Sequence, residues 1–189
     1  MGEKTPQTLG ESAGRWTWAT FGIGASVLTA DQITKWLVAA KLGPDEISHR
    51  RQVVGDVVAI HYVENSGVAF GLLQGQTILV TVMAILVVIL LVRMYRRVSE
   101  VSWTMASGCG LIIGGAIGNL VDRARLGYVV DFVEISAWPK FNLADSAITV
   151  GALLLAWRFL REDGREMTGE RGSPDVPGNL VLLKHDGDR

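Results

Sequence analysis

The chain has a single cysteine, Cys109. That excludes an intrachain disulfide and a thiolate metal cluster. Cys109 sits in the small, apolar run SGCGLIIGG, where it reads as a helix-packing residue, and no histidine lies near enough in sequence to make it a nucleophile. The three histidines, His49, His61 and His185, show no metal-ligand spacing of the HExxH kind. No basic stripe with interleaved aromatics is present, and the net charge is -1, so a nucleic-acid partner is not expected. Neither a metal nor a cofactor is called for.

The most telling lack is of charge in particular places. No charged residue stands between Arg15 and Asp31, between Glu64 and Arg93, or between Glu100 and Asp122, and from Phe141 to Trp157 the only one is Asp145. Each stretch with its flanks supplies the roughly 20 residues a bilayer-spanning helix needs. A soluble bundle of buried helices would carry polar faces at helical spacing, and ILVTVMAILVVILLV (Ile78 to Val92) has none. The expected fold class is therefore an all-α membrane protein of one domain, with four transmembrane helices at about 16–39, 76–92, 103–121 and 143–160.

Residues 1–15 read as a disordered cytoplasmic leader, and 161–189, charged and rich in Gly and Pro, as a mobile cytoplasmic tail. No AxA-type cleavage site closes the first apolar segment, so it is read as a retained span. In the connection after it, QVVGDVVAIHYVEN is valine-rich and broken at Gly55-Asp56, which predicts two short strands with a turn in a small extracytoplasmic β-rich region. Gly110, Gly114 and Gly118 recur every four residues, with Gly115 beside them, a stripe that lets helix backbones approach closely in lipid. Arginines in the second loop and after span four, together with Lys4 and Arg15, place both termini in the cytoplasm.

Against this apolar background two acids stand out. Asp131 lies in GYVVDFVEI and Asp145 in FNLADSAITVG. Ionisable groups at a bilayer edge are costly and mark functional sites by default. Two carboxylates in a low-dielectric pocket cannot both ionise easily, so one keeps its proton, which is the arrangement that activates water in an aspartic protease. Each acid also has a plainer reading: Asp145 as a cap at the start of span four, and Asp131 as the polar face of a strand. The predicted topology puts both on the outer face, together with Asn65 and Asp31.

Asp31 and Lys35 are one helical turn apart and can pair, while Lys35 can also snorkel to the interface. Asp122 and Arg123 read as an interfacial ion pair, with Asn119 one turn earlier placed to hydrogen-bond across helices. A carrier or channel would use intramembrane acids too, but at different depths along a path. In a membrane scaffold the same acids would be replaceable caps.

Four blocks in order, DQITKWLV, ENSGVAFGLL, GGAIGNLVDRARLGYVVDFVEI and FNLADSAITVG, together resemble the lipoprotein signal peptidases (signal peptidase II). The resemblance covers most of residues 28 to 155. It implies an aspartic endopeptidase of the bacterial inner membrane that cuts a prolipoprotein signal peptide before a diacylglyceryl-modified cysteine. Matched motif by motif, Asp131 and Asp145 would be the catalytic pair. Asn65, Asn119, Asp122, Arg123 and Asn142 would border or brace the site, and Asp31 and Lys35 would be the charged pair of span one. The implied partners are diacylglyceryl-modified prolipoprotein signal peptides, membrane lipid and globomycin-type inhibitors. The implied site lies near the extracytoplasmic face, and a monomer is expected.

Overall fold

A computed structural model describes residues 7–43, 50–67, 75–97 and 101–169. The chain is mostly helical, with one small antiparallel sheet. Helix α1 (Gln7–Leu42) is followed by strands β1 (Arg51–Val54) and β2 (Val58–Asn65). Helices α2 (Thr77–Arg97) and α3 (Trp103–Leu126) come next, then strand β3 (Val129–Ile135) and helix α4 (Leu143–Gly169).

Among the described residues three helices are long and apolar enough to cross a membrane: Thr77–Arg97, Trp103–Leu126 and Leu143–Arg161. Helix α1, the expected first span, is not one of them, because its C-terminal half carries Asp31, Gln32 and Lys35 among small and hydroxyl side chains. It also begins at Gln7, inside the segment expected to be a disordered leader. Between Gln7 and Leu42 the sequence holds no proline to stop a helix. Helix α4 likewise continues to Gly169, past the expected end at Leu160, through REDGREMTG, which holds no proline. The remaining residues of the leader and tail lie outside the described ones.

Helix α3 is the centre of the bundle. It packs against α1 and α4 over most of its length and against α2 over less. Ser102 opens it, accepting a hydrogen bond from the Met105 N–H at 3.3 Å. Gly127 closes it with φ 83°, a left-handed turn that suits glycine. The glycine stripe does what its spacing predicts. A Cβ on Gly114 would lie 2.5 Å from the Gly24 carbonyl oxygen of α1, and one on Gly115 equally close to that of Ala144 in α4. Toward the N-terminal end of α3, Met105, Cys109 and Ile112 bury themselves with Leu155 of α4. Helix α2 is left with Ile78, Leu86 and Leu90 exposed, a surface suited to lipid rather than water.

The strands form one sheet in the order β1-β2-β3. The first two make the expected hairpin, turning at Gly55 (φ 49°). The third comes from the connection between α3 and α4 and pairs antiparallel with β2, setting Asp131 opposite Val63. Beyond β3 the chain doubles back, and Phe141 bridges to Val133 just before α4 begins. That return brings Asn142 and the start of α4 alongside Asp131.

Candidate active site

Asn142 is the N-cap of α4. Its Oδ1 accepts the Asp145 N–H at 2.9 Å, and Asp145 Oδ2 accepts the Asn142 N–H at 3.2 Å, a reciprocal box at the helix start. The capping role suggested for Asp145 is thus real, but it occupies one carboxylate oxygen only. The other, Oδ1, accepts from Asn119 Nδ2 at 2.8 Å. With its oxygen committed to the cap, Asn142 points its amide nitrogen at Asp131 and donates to Oδ1 at 2.8 Å. One asparagine therefore touches both acids.

Asp131 is no exposed face of a strand; it is 1% exposed. Its second oxygen accepts from Asn65 Nδ2 at 2.8 Å. Asn65 is oriented by its own Oδ1, which accepts the Gly67 N–H at 2.9 Å in an Asx-type turn. Burial raises the Asp131 carboxyl from its ordinary 3.8 to about 7, and the neighbouring charge of Asp145 adds to the rise. The amides of Asn65 and Asn142 and the charge of Lys35 act in the opposite direction.

Both acids, with Asn65, Asn119 and Arg123, line one cavity of about 670 Å³. Its apolar wall includes Ala84 and Val87 of α2 and Ile112 and Ala116 of α3. Arg123 is tethered through Nη2 to the Gly67 carbonyl at 3.2 Å, while its buried Nε has no partner among the described residues. The guanidinium interacts electrostatically with Asp145, Asp131 and Asp122.

Behind the cavity lies a buried charged cluster. Lys35 Nζ reaches Asp31 Oδ2 at 2.9 Å, Asp122 Oδ2 at 2.8 Å and Asn119 Oδ1 at 2.9 Å. This corrects two expectations. Lys35 does not snorkel outward, because three oxygens hold its ammonium inside at 3% exposure. Asp122 pairs with Lys35 of another helix, while its sequence neighbour Arg123 turns to Gly67.

The acids, amides and cations named as candidate site residues thus gather around the cavity and in the cluster behind it. Gln32 was missed: its Nε2 donates to Asp122 Oδ1 at 2.9 Å and to the Gly118 carbonyl at 3.3 Å. The signal was available, since Gln32 is a polar side chain between Asp31 and Lys35 on an otherwise apolar helix. Among the described residues no group of three or more His, Cys, Asp or Glu is placed to hold a metal ion.

Comparison with known proteins shows the family. Residues 23–161 match the family model described as signal peptidase (SPase) II. The lipoprotein signal peptidase of Moorella thermoacetica is 40% identical over 143 residues, which cover 74% of this chain and 93% of that protein. That of Halothermothrix orenii is 43% identical over 129 residues, covering 68% and 86%. Two solved structures, each described as a bacterial membrane enzyme determined by the in meso method, are also similar. One has a TM-score of 0.71 at 29% identity over 77% of this chain and 90% of its own; the other has 0.66 at 30% over 75% and 92%.

Proposed function

The chain belongs to the signal peptidase II family, and from that premise we propose that Asp131 and Asp145 are its catalytic pair. The enzyme is a membrane-embedded peptidase that removes signal peptides from prolipoproteins. The observation that carries the assignment is that both carboxylates line one cavity and are bridged by Asn142.

In this reading Asp145, at a helix N-terminus that favours its charge, is the ionised partner and takes a proton from a water held between the acids. Asp131 carries the proton and donates a hydrogen bond to the scissile carbonyl, stabilising the oxyanion as the tetrahedral intermediate forms. Collapse of that intermediate expels the amine, which takes its proton from the pair. The two acids titrate as a unit. Arg123, whose guanidinium lines the cavity, is the donor best placed to hold substrate backbone.

Helix α1 completes a four-span bundle in this proposal. Its backbone meets α3 at Gly24 against Gly110 and Gly114, as lipid-embedded helices do. Both termini then face the cytoplasm and the site lies at the extracytoplasmic face of the bacterial inner membrane. There it receives a substrate whose diacylglyceryl chains stay in lipid. The apolar wall between α2 and α3 accepts the signal helix, and cleavage falls before the lipid-modified cysteine. Globomycin-type cyclic peptides compete for the same cavity, and the monomer is sufficient.

The test replaces Asp131 and Asp145 singly with Asn in the purified chain. A diacylglyceryl-modified prolipoprotein is supplied as substrate, and thermal unfolding serves as the folding control. Each variant is expected to stay folded and lose cleavage. Near-normal cleavage by either one rules the pair out.

A further inference from the structure

We infer that Lys35 is a positioning residue for the catalytic pair, joining the strand that carries Asp131 to the helix that carries Asp145 through Asp31, Asp122 and Asn119. The inference rests on the assignment of Asp131 and Asp145 made above.

Three routes leave the Lys35 ammonium; two end on the residue before an acid and the third on an acid itself. In the first, Lys35 binds Asp31 Oδ2, and Asp31 Oδ1 accepts the Ala144 N–H at 3.0 Å. Ala144 immediately precedes Asp145. In the second, Lys35 binds Asp122 Oδ2, which also accepts the Val130 N–H at 3.2 Å. Val130 immediately precedes Asp131. In the third, Lys35 donates to Asn119 Oδ1, and Asn119 Nδ2 donates to Asp145 Oδ1.

The chemistry of an ammonium makes the third route directional. Lysine has three donors and no acceptor, so it can meet only the oxygen of the Asn119 amide. The nitrogen is thereby turned to Asp145. In the first two routes the carboxylates act as rigid spacers between a fixed cation and a backbone N–H. The space for Asp31 exists because Gly118 has no side chain: a Cβ there would lie 2.6 Å from Asp31 Oδ2.

Stability is a weak reason to bury such a cluster. Desolvating the charges offsets much of their attraction, and apolar replacements of buried ion pairs are often neutral or stabilising. What an apolar residue cannot do is orient an amide and hold two backbone segments in fixed register. That geometric task also fits a site in which misplacement of about 1 Å costs about a hundredfold in rate.

The ammonium has an electrostatic effect as well. The charged and titratable groups acting on Asp131 are Lys35 from α1, Arg123 from α3 and Asp145 from α4, with the amides of Asn65 and Asn142. Lys35 is among those that hold the Asp131 carboxyl down, so its loss moves the carboxyl further up.

The experiment compares Lys35→Met with the unaltered full chain in detergent micelles, using a diacylglyceryl-modified prolipoprotein peptide. With a folded variant, kcat is expected to fall about a hundredfold while KM stays within about threefold, and the alkaline limb of the rate profile is expected to move to higher pH. A folded variant with kcat within about threefold of the original, or a reduced kcat with an unmoved alkaline limb, overturns the inference.

Should Lys35→Met fail to fold, Asp31→Asn and Asp31→Ala decide the matter. Asparagine keeps an oxygen for the Ala144 N–H and alanine does not. Asn is expected to recover at least about tenfold of the kcat that Ala loses, with KM alike in both; equal losses overturn the inference. Asp131→Asn, assayed in parallel, separates the two failures. If it cleaves, the assignment of the catalytic pair falls. If it is dead while Lys35→Met is near normal, only the positioning role falls.

Discussion

Asn142 donates its side-chain amide to Asp131 at 2.8 Å while its own backbone N–H faces Asp145 at 3.2 Å. A strand and a helix from opposite sides of a turn are thereby joined at their acids by one residue. The same side chain caps α4, so its structural and catalytic roles can be pulled apart by choice of substitution.

Asn142→Ala removes both the cap and the bridge. It is expected to lower stability by about 1 kcal/mol, the usual value of a lost N-cap, and to cut kcat by about tenfold to a hundredfold. Asn142→Ser restores an N-cap oxygen but is too short to reach Asp131. Its melting temperature should return toward that of the original chain while kcat stays low. Equal recovery of both quantities would show that the amide bridge contributes nothing to rate.

The raised carboxyl of Asp131 predicts the alkaline limb of catalysis. With its value at about 7, Asp131 keeps its proton below neutrality and loses it above. If that proton is the hydrogen bond offered to the scissile carbonyl, kcat/KM should fall about tenfold per pH unit above about pH 7. A profile that stays level from pH 6 to pH 9 would contradict the role given to Asp131.

Linkage extends the argument to folding. The Asp131 carboxyl sits at about 7 in the folded chain against an ordinary 3.8. Between those values the folded state holds a proton that the unfolded state has released. The contribution to stability is therefore fully present below about pH 3.8 and is lost as the pH rises through about 7. Asp131→Asn cannot ionise, so its melting temperature should decline less between pH 4 and pH 7 than that of the original chain. Parallel curves for the two proteins would remove the physical basis for a protonated Asp131.

The acids were legible in the sequence because an ionisable residue among apolar ones is conspicuous whatever its partners. The starts of α2, α3 and α4 were legible to within one residue, each lying where the expected span begins. Their C-terminal ends ran on, to Arg97, Leu126 and Gly169, since arginine and glutamate prolong a helix as readily as leucine does. What the sequence hid was partnership. Asp31 and Lys35 announce themselves by i,i+4 spacing, but nothing local says that Asp122 abandons Arg123 for a lysine of another helix. Nor does it say that Gln32 braces the same acid. The β3 segment was legible as extended and apolar, yet its pairing with β2, which sets Asn65 beside Asp131, depends on a contact across the length of two helices.

The last prediction concerns the close approach that makes such long-range partnerships possible. A Cβ at Gly114 would lie 2.5 Å from the Gly24 carbonyl oxygen and 2.8 Å from its Cα, both rigid backbone atoms. Relief requires α1 and α3 to move apart. Gly114→Ala is therefore expected to destabilise the chain by about 1–3 kcal/mol, the range for overpacking a filled interface. Because Asp31 and Lys35 ride on α1 while Asn119 and Asp122 ride on α3, the separation should also lower kcat. Gly22 lies on the same α1 helix, but a Cβ there meets nothing within 4 Å. Gly22→Ala should be neutral, or stabilising by up to about 1 kcal/mol through helix propensity alone. Unfolding in detergent followed by circular dichroism, with cleavage measured on the same samples, separates the two cases. Indistinguishable stability for the pair would show that the glycine contact is not what sets the α1–α3 distance.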